Sequence, residues 1–126
     1  MTAADEIEAA IQRLEDQRAA STPGPWSIFE YSKHTGVAGE VAVQAHHPGR
    51  IGEGLVAGFD YEGYHSTIEP GDAHLIVTLH RTIDAQLAIL KSARAQLEPF
   101  HGMVLQDAAL EYELALARAI NAGTAQ

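Results

Sequence analysis

The apolar residues of the range 72–98 recur with the spacing of an amphipathic helix, and this pattern constrains the fold of the chain more than any other feature. Four of them stand seven residues apart, at Ile76, Ile83, Leu90 and Leu97. That repeat is close to the heptad of a coiled-coil seam. Pro70 precedes the range, and proline is favoured in the first turn of a helix, where its missing N–H would have no partner. The pattern predicts one long helix from Asp72 to Glu98.

A second amphipathic helix is predicted from Met103 to Ala122, after a break at Pro99 and Gly102. Its apolar residues form two stripes, one at Leu105, Ala109, Tyr112, Leu116 and Ile120, and the other at Leu110, Leu114 and Ala117. Two stripes on one helix indicate two burial partners. Because the break is short, we expect the two helices to pair as an antiparallel hairpin.

An N-terminal helix is predicted from Thr2 to Ala20. Thr2 is a suitable N-cap, and Asp5 follows it at the spacing of a capping box. The apolar stripe of this helix is narrow and consists of Ile7, Ile11 and Leu14. Such a helix must pack on another part of the protein, either the body of its own domain or a second subunit.

The prolines and the glycine of the segment Ser21–Trp26 end this helix, and we expect the large Trp26 side chain to anchor the core of the next region. Three strands are predicted there, at residues 26–31, 37–45 and 51–60. The middle one alternates apolar and polar residues, as half-buried strands do. Glycines in the third strand indicate a bulge or a close backbone approach, at Gly52, Gly54 and Gly58. Residues 61–67 are predicted to form a polar-aromatic loop.

These elements predict an α+β fold with an N-terminal helix, a three-stranded antiparallel β-meander and a C-terminal antiparallel helical hairpin. The 126 residues suit a single domain, 1–126, because domains most often contain about 100–150 residues. Its parts are the N-terminal helix 1–22, the β-rich segment and loop 23–69, and the helical hairpin 70–126. The hairpin carries more apolar surface than three short strands and a narrow helix can cover. We therefore expect a homo-oligomer, most simply a dimer.

The charge and composition of the chain exclude several classes of partner and site. Seventeen acidic residues outnumber eight basic ones, and the resulting charge of −9 repels nucleic acid. The chain contains no cysteine, which excludes disulfides, Cys-ligated zinc and a thiol nucleophile. No apolar run approaches the roughly 18 residues of a membrane span, and the acidic N-terminus is unlike a signal peptide. We expect a cytosolic protein with no membrane and no nucleic-acid partner.

Two short motifs resemble a group of small bacteriophage proteins. The first is the box Thr22-Pro23-Gly24-Pro25-Trp26 after an N-terminal helix, and the second is Asp72-Ala73-His74-Leu75-Ile76 at the start of a later helix. The group includes the lambdoid early-region Ead-type proteins and many actinophage relatives, in which Phe usually stands where this chain has Leu75. The resemblance implies a phage accessory protein of the host cytoplasm. It implies no catalytic residues.

The candidate ligand site combines aromatic faces with arginines. Tyr61, Tyr64 and His65 offer faces on which a base could stack, and Arg50 and Arg81 could bind a phosphate. The alternative is that the tyrosines cover a sheet edge. Neither a nucleophile elbow nor a His-Glu-x-x-His motif occurs in the chain, and its seven histidines lack metal-ligand spacing. We therefore predict no catalytic residue, no metal site and no cofactor.

The sequence leaves three functions open. The first is a non-enzymatic phage accessory protein that acts by binding, inhibiting a host protein or a host defence through its helical surface. The second is a sponge that sequesters a small (cyclic) nucleotide immune signal at a subunit boundary. The third is a metal-assisted hydrolase built from histidines and loop acids.

The sponge hypothesis predicts that a particular nucleotide raises the melting temperature of the protein and is released unchanged on heating. Substitution of Tyr64 and Arg50 by alanine should abolish this stabilisation without unfolding the protein, because both residues would contact the ligand. Thermal unfolding with and without nucleotides measures it. Stabilisation that persists in the variant would remove this site.

Overall fold

The computed structural model describes residues 2–30, 40–45, 55–60, 65–100 and 110–124. The helices in these ranges are α1 (Ala3–Ala20), α2 (Pro70–Arg81), α3 (Ile83–Leu97) and α4 (Glu111–Asn121). The strands are β1 (Trp26–Glu30), β2 (Val41–Ala45), β3 (Leu55–Ala57), β4 (Phe59–Asp60) and β5 (His65–Ser66). Short 3-10 turns follow α3 and α4, at Glu98–Phe100 and Ala122–Thr124. The fold is α+β, as predicted.

The chain divides into two compact units. Met1–Ala20 and Ile83–Gln126 form one, here called the helical unit, and Ser21–Thr82 form the other, here called the sheet unit. The helical unit therefore contains residues from both ends of the sequence. Compact units of this kind occur within one domain as well as in two, so the single domain 1–126 stays a prediction.

A reciprocal cap starts α1. The amide of Asp5 donates to Oγ1 of Thr2 at 3.1 Å, and the amide of Thr2 donates to Oδ2 of Asp5 at 3.1 Å. These bonds satisfy amides that have no partner within the helix, which confirms the predicted cap. In the stripe of α1, Ile7 and Ile11 are buried together with Ala10, and Leu14 is partly buried against the same core.

The core of the helical unit lies between α1, α3 and α4, which contact one another pairwise. Its buried residues are Ile7, Ala10, Ile11, Leu87, Leu90, Ala93, Leu97, Leu110, Leu114 and Ala117. Leu116 and Ile120, from the other predicted stripe of the last helix, also pack against this core. The predicted start of that helix at Met103 lies outside the described residues, which resume at Leu110.

The prediction of one continuous helix from Asp72 to Glu98 is wrong, because the helix is interrupted at Thr82. The Thr82 amide donates to the carbonyl of Leu79 at 3.0 Å, and its hydroxyl donates to the same carbonyl at 2.7 Å. A threonine hydroxyl that competes for backbone carbonyls favours such a break. The seven-residue seam is thereby divided: Ile76 packs in the sheet unit, whereas Leu90 and Leu97 lie in the helical core.

The sheet unit contains the predicted antiparallel meander, with strand order β1-β2-β3. Ile28 pairs with Val43, and Val43 pairs with Ala57, before the register shifts between Val43 and Gln44. Helix α2 packs on β1 and β2. A buried apolar cluster of this unit consists of Val41, Val43, Ala73 and Val77, with Trp26, Ile28, Val56, Ala57, Ile68 and Ile76 packed around it.

The third predicted strand is split at Gly58, whose φ is 97°. A Cβ on Gly58 would overlap Cγ2 of Ile68, so the predicted close approach is confirmed here. Beyond it, β4 pairs with β5, with Asp60 opposite His65. The prediction of a loop throughout residues 61–67 is therefore wrong for β5, because the chain turns back to pair with β4.

The proline-glycine box places Trp26 against α2. The Trp26 ring stacks on the ring of His80, with centroids 3.8 Å apart and planes inclined by 9°. The Trp26 indole donates to the carbonyl of Thr22 at 2.9 Å. A Cβ on Gly24 would lie 2.6 Å from Cε1 of His80, so the glycine leaves room for the stack. The box of the phage resemblance therefore has a structural role in this chain.

Large exposed apolar side chains occur in both units. Leu75 and Leu79 are 57% and 53% exposed on α2, and Tyr112 is 84% exposed on α4. The stripe of α3, in contrast, is largely covered from within the same chain. The homo-oligomer inferred from surplus apolar surface stays a prediction. None of the helices in the described ranges has the length and apolarity needed to cross a membrane.

Gly58→Ala should lower the free energy of unfolding by about 1–3 kcal/mol, because alanine disfavours this positive φ and its methyl would overlap Ile68. Gly71→Ala is the matched control, since nothing lies within 4 Å of a Cβ there. We expect the control to be neutral or stabilising by about 1 kcal/mol at most. Urea unfolding of both variants measures the difference. Equal stability of the two variants would contradict this account of Gly58.

Candidate functional site

The candidate ligand residues from the sequence are placed only in part. Arg50, Tyr61 and Tyr64 lie outside the described residues. His65 is a strand residue of β5, and Arg81 is exposed at the last position of α2. Arg81 makes no hydrogen bond or ion pair with another described residue. The nucleotide sponge thus stays a prediction that rests on the sequence.

The histidines are also placed only in part by the structure. His74 and His80 lie on α2, whereas His34, His46, His47 and His101 lie outside the described residues. Within the described ranges, no three His, Asp or Glu side chains come together as a metal ion would need. The metal-assisted hydrolase also stays a prediction.

One recess lined by described residues is a groove on the helical unit. It is open and has a volume of about 590 Å³. Its lining comes from α1 and from the end of α4, and consists of Glu6, Ala9, Gln12, Arg13, Asp16, Arg118, Asn121 and Ala122. We call it the α1–α4 groove.

The helical period explains why α1 can line this groove and still hold the core. At about 3.6 residues per turn, Glu6, Ala9, Arg13 and Asp16 fall on one side of the helix. Ile7 and Ile11 fall on the adjacent, buried side. Beyond the buried stripe, Glu8, Glu15 and Arg18 face α3, to which they form ion pairs. Helix α1 therefore has an apolar centre between two polar edges with different neighbours.

Glu6 fixes the position of α4 at one end of the groove. Arg118 donates to it in a fork, from Nε to Oε1 at 3.2 Å and from NH2 to Oε2 at 3.2 Å. The amide nitrogen of Asn121 donates to the Glu6 carbonyl at 2.9 Å. The Glu6 side chain is 21% exposed, whereas the Arg118 side chain is 56% exposed. This ion pair joins α1 to α4 at one end of the groove.

Arg13 occupies a different environment. Its side chain is half-buried in the groove wall and makes no hydrogen bond or ion pair with another described residue. Asp16 lies one turn further along α1 and accepts a hydrogen bond from Nε2 of Gln12 at 2.9 Å. The lining offers guanidinium groups, amides and carboxylates, and its described residues include no Ser, Thr, Cys, His or Lys. These groups are suited to recognition by charge and hydrogen bonding.

The opposite edge of α1 carries a ladder of ion pairs to α3. Arg18 pairs with Asp84, Glu15 with Lys91 and Glu8 with Arg94, so the two helices run antiparallel; the Glu15–Lys91 and Glu8–Arg94 distances are 2.8 and 3.0 Å. The Lys91 ammonium lowers the pKa of Glu15 below its ordinary value of 4.5, mainly through its hydrogen bond and then through its charge.

Comparisons of the chain with protein-family models, curated proteins and solved structures find no significant match. The assignment of the site therefore depends on its own geometry and chemistry.

The residues of the α1–α4 groove were not predicted as a site from the sequence. One signal was available, because Arg13 interrupts a helix edge that otherwise carries Glu6 and Asp16. The contact between Glu6 and Arg118 spans 112 residues, and no local pattern indicates it. The prediction from the sequence favoured aromatic residues near arginines. The groove is lined instead by charged side chains, amides and alanines.

Glu15→Gln should lower the melting temperature at pH 7, and the difference from the wild type should vanish under acid conditions. A carboxyl with a lowered pKa stabilises the fold fully above its ordinary value of 4.5, and this contribution is lost as pH falls through the lowered value. Thermal unfolding followed by circular dichroism from pH 7 to pH 3 measures it.

Lys91→Met should reproduce the loss at pH 7, and the double variant should lose no more than either single variant. Additive losses, or a Glu15→Gln difference that does not change with pH, would contradict this role of the pair.

Proposed function

We propose that this protein acts by binding a partner protein, without catalysing a reaction, and that the α1–α4 groove is part of its contact surface. The observation that supports this is the half-buried residue Arg13, which lines a groove of about 590 Å³ and has no partner among the described residues. A buried or half-buried arginine that does not stabilise its own fold is available for recognition.

The lining favours a protein segment over a small molecule. Small-molecule sites are mostly apolar and enclosed. The α1–α4 groove is open, and Glu6, Arg13, Asp16 and Arg118 contribute charges of both signs to it. Arginine is enriched at protein interfaces, where its planar group pairs with acidic side chains. A polar segment of another protein fits these features best.

The biological setting that we propose comes from the resemblance of the Thr22–Trp26 box and the Asp72–Ile76 motif to small phage proteins. On that basis, the protein is a bacteriophage accessory factor in the host cytoplasm, and its partner is a host protein that it inhibits, such as a component of host defence. Inhibition of this kind requires occupancy of a surface and no chemistry. This matches the recognition groups of the groove.

Two substitutions in the groove should reduce the capture of one host protein at least tenfold relative to the wild type. Arg13→Glu reverses the central charge, and Ala9→Phe fills the groove; loss of one interface hot spot costs about 1.4 kcal/mol or more, which is tenfold. Tagged protein is incubated with an extract of the bacterial host, and retained proteins are quantified by mass spectrometry. Melting curves establish that each variant is folded.

Tyr112→Ala is the matched control, because Tyr112 is on α4 and highly exposed but does not line the groove. The control should retain the same protein as the wild type. Identical capture by all variants, or loss only with Tyr112→Ala, would show that the contact surface lies elsewhere. A wild-type protein that retains nothing above the bare matrix would contradict the binding function.

A further inference from the structure

The basic residues of the helical unit fall into two groups, according to whether they form an ion pair with another helix. These residues are Arg13, Arg18, Lys91, Arg94 and Arg118. All except Arg13 form ion pairs that join one helix to another, with Asp84, Glu15, Glu8 and Glu6 respectively. Arg13 is the exception among the described residues of this unit. Its charge makes no contribution to interhelical pairing.

The surroundings of Arg13 explain why it does not pair locally. Asp16 is its neighbour at i+3, but Asp16 accepts from Gln12 at 2.9 Å. A base placed before an acid on a helix is also the less favourable order with respect to the helix dipole. The guanidinium therefore keeps its planar set of N–H donors in a groove wall that already excludes part of the solvent.

We propose that Arg13 is the recognition residue of the α1–α4 groove and that it binds a carboxylate of the partner segment, an Asp or Glu side chain. This inference rests on the proposed function and names the chemistry of the partner. The Arg118–Glu6 fork is an example of such a guanidinium–carboxylate contact in the same groove, with both N–O distances at 3.2 Å. A planar guanidinium binds a planar carboxylate through two parallel hydrogen bonds.

The charges beside Arg13 favour a carboxylate over a phosphate. Glu6 and Asp16 share the lining, so the charges of its described residues, two acidic and two basic, sum to zero. A phosphate group carries about −1.5 to −2 at neutral pH and would be repelled more strongly by these two acids. A carboxylate carries a single negative charge. Ala9 and Ala122 offer methyl groups against which the methylenes of a Glu side chain can pack.

Nuclear magnetic resonance of the ¹⁵N-labelled full chain tests this inference without a protein partner. The Nε–Hε signals of the arginines are followed, and the Arg13 signal is assigned by its loss in Arg13→Lys. Three probes are titrated at constant ionic strength: N-acetylglutamate amide, its neutral counterpart N-acetylglutamine amide, and inorganic phosphate. Arg81 is the internal control, because it is exposed, has no partner among the described residues and lies outside the groove.

The expected result is a saturable shift of the Arg13 signal with N-acetylglutamate amide, at a concentration at least tenfold lower than any shift of Arg81. The glutamine probe should leave Arg13 unchanged, and phosphate should act only at higher concentration than the carboxylate. Parallel shifts of Arg13 and Arg81, or a response to phosphate before carboxylate, would overturn the proposal. A positive titration together with unchanged protein capture would instead contradict the proposed function alone.

Discussion

Burial of the apolar stripe of α1 holds the helical unit together. Ile7, Ala10 and Ile11 have almost no exposed surface, and they bring α1 against α3 and α4 from the far end of the chain. Full burial of one such isoleucine contributes about 1.5–3 kcal/mol. An exposed ion pair contributes about 1 kcal/mol at most. The stripe therefore sets the packing, whereas the polar edges of α1 orient its neighbours.

This division of roles determines which side chains of α1 line the groove. Once the stripe is buried, one edge of α1 lies along α3 and its charges are neutralised there. On the other edge, Glu6 binds Arg118 and Asn121 of α4. Arg13 lies further along this edge and forms no hydrogen bond or ion pair with another described residue. The groove and its guanidinium thus follow from the packing of α1 against α3 and α4.

Local signals in the sequence were sufficient for much of the fold. The Thr2–Asp5 cap, the meander and the close approach at Gly58 follow from short-range chemistry, and the structure has them. The break at Thr82 was missed, because the apolar period continues through it while a side-chain hydroxyl ends the helix. The groove was missed because Glu6 and Arg118 meet only through tertiary packing. The aromatic residues favoured as a ligand site, Tyr61 and Tyr64, fall outside the described ranges.

The chain leaves the helical unit after Ala20 and returns to it at Ile83, and the ion pair between Arg18 and Asp84 holds these two points together. Residues 21–82 are thus a cassette inserted between neighbouring positions of a three-helix scaffold. Insertions are tolerated where their two ends emerge side by side. Evolution can therefore lengthen, shorten or exchange the cassette while every residue of the helical core stays the same. The residues that line the α1–α4 groove all lie outside this cassette, so a change within residues 21–82 leaves them in place in the sequence.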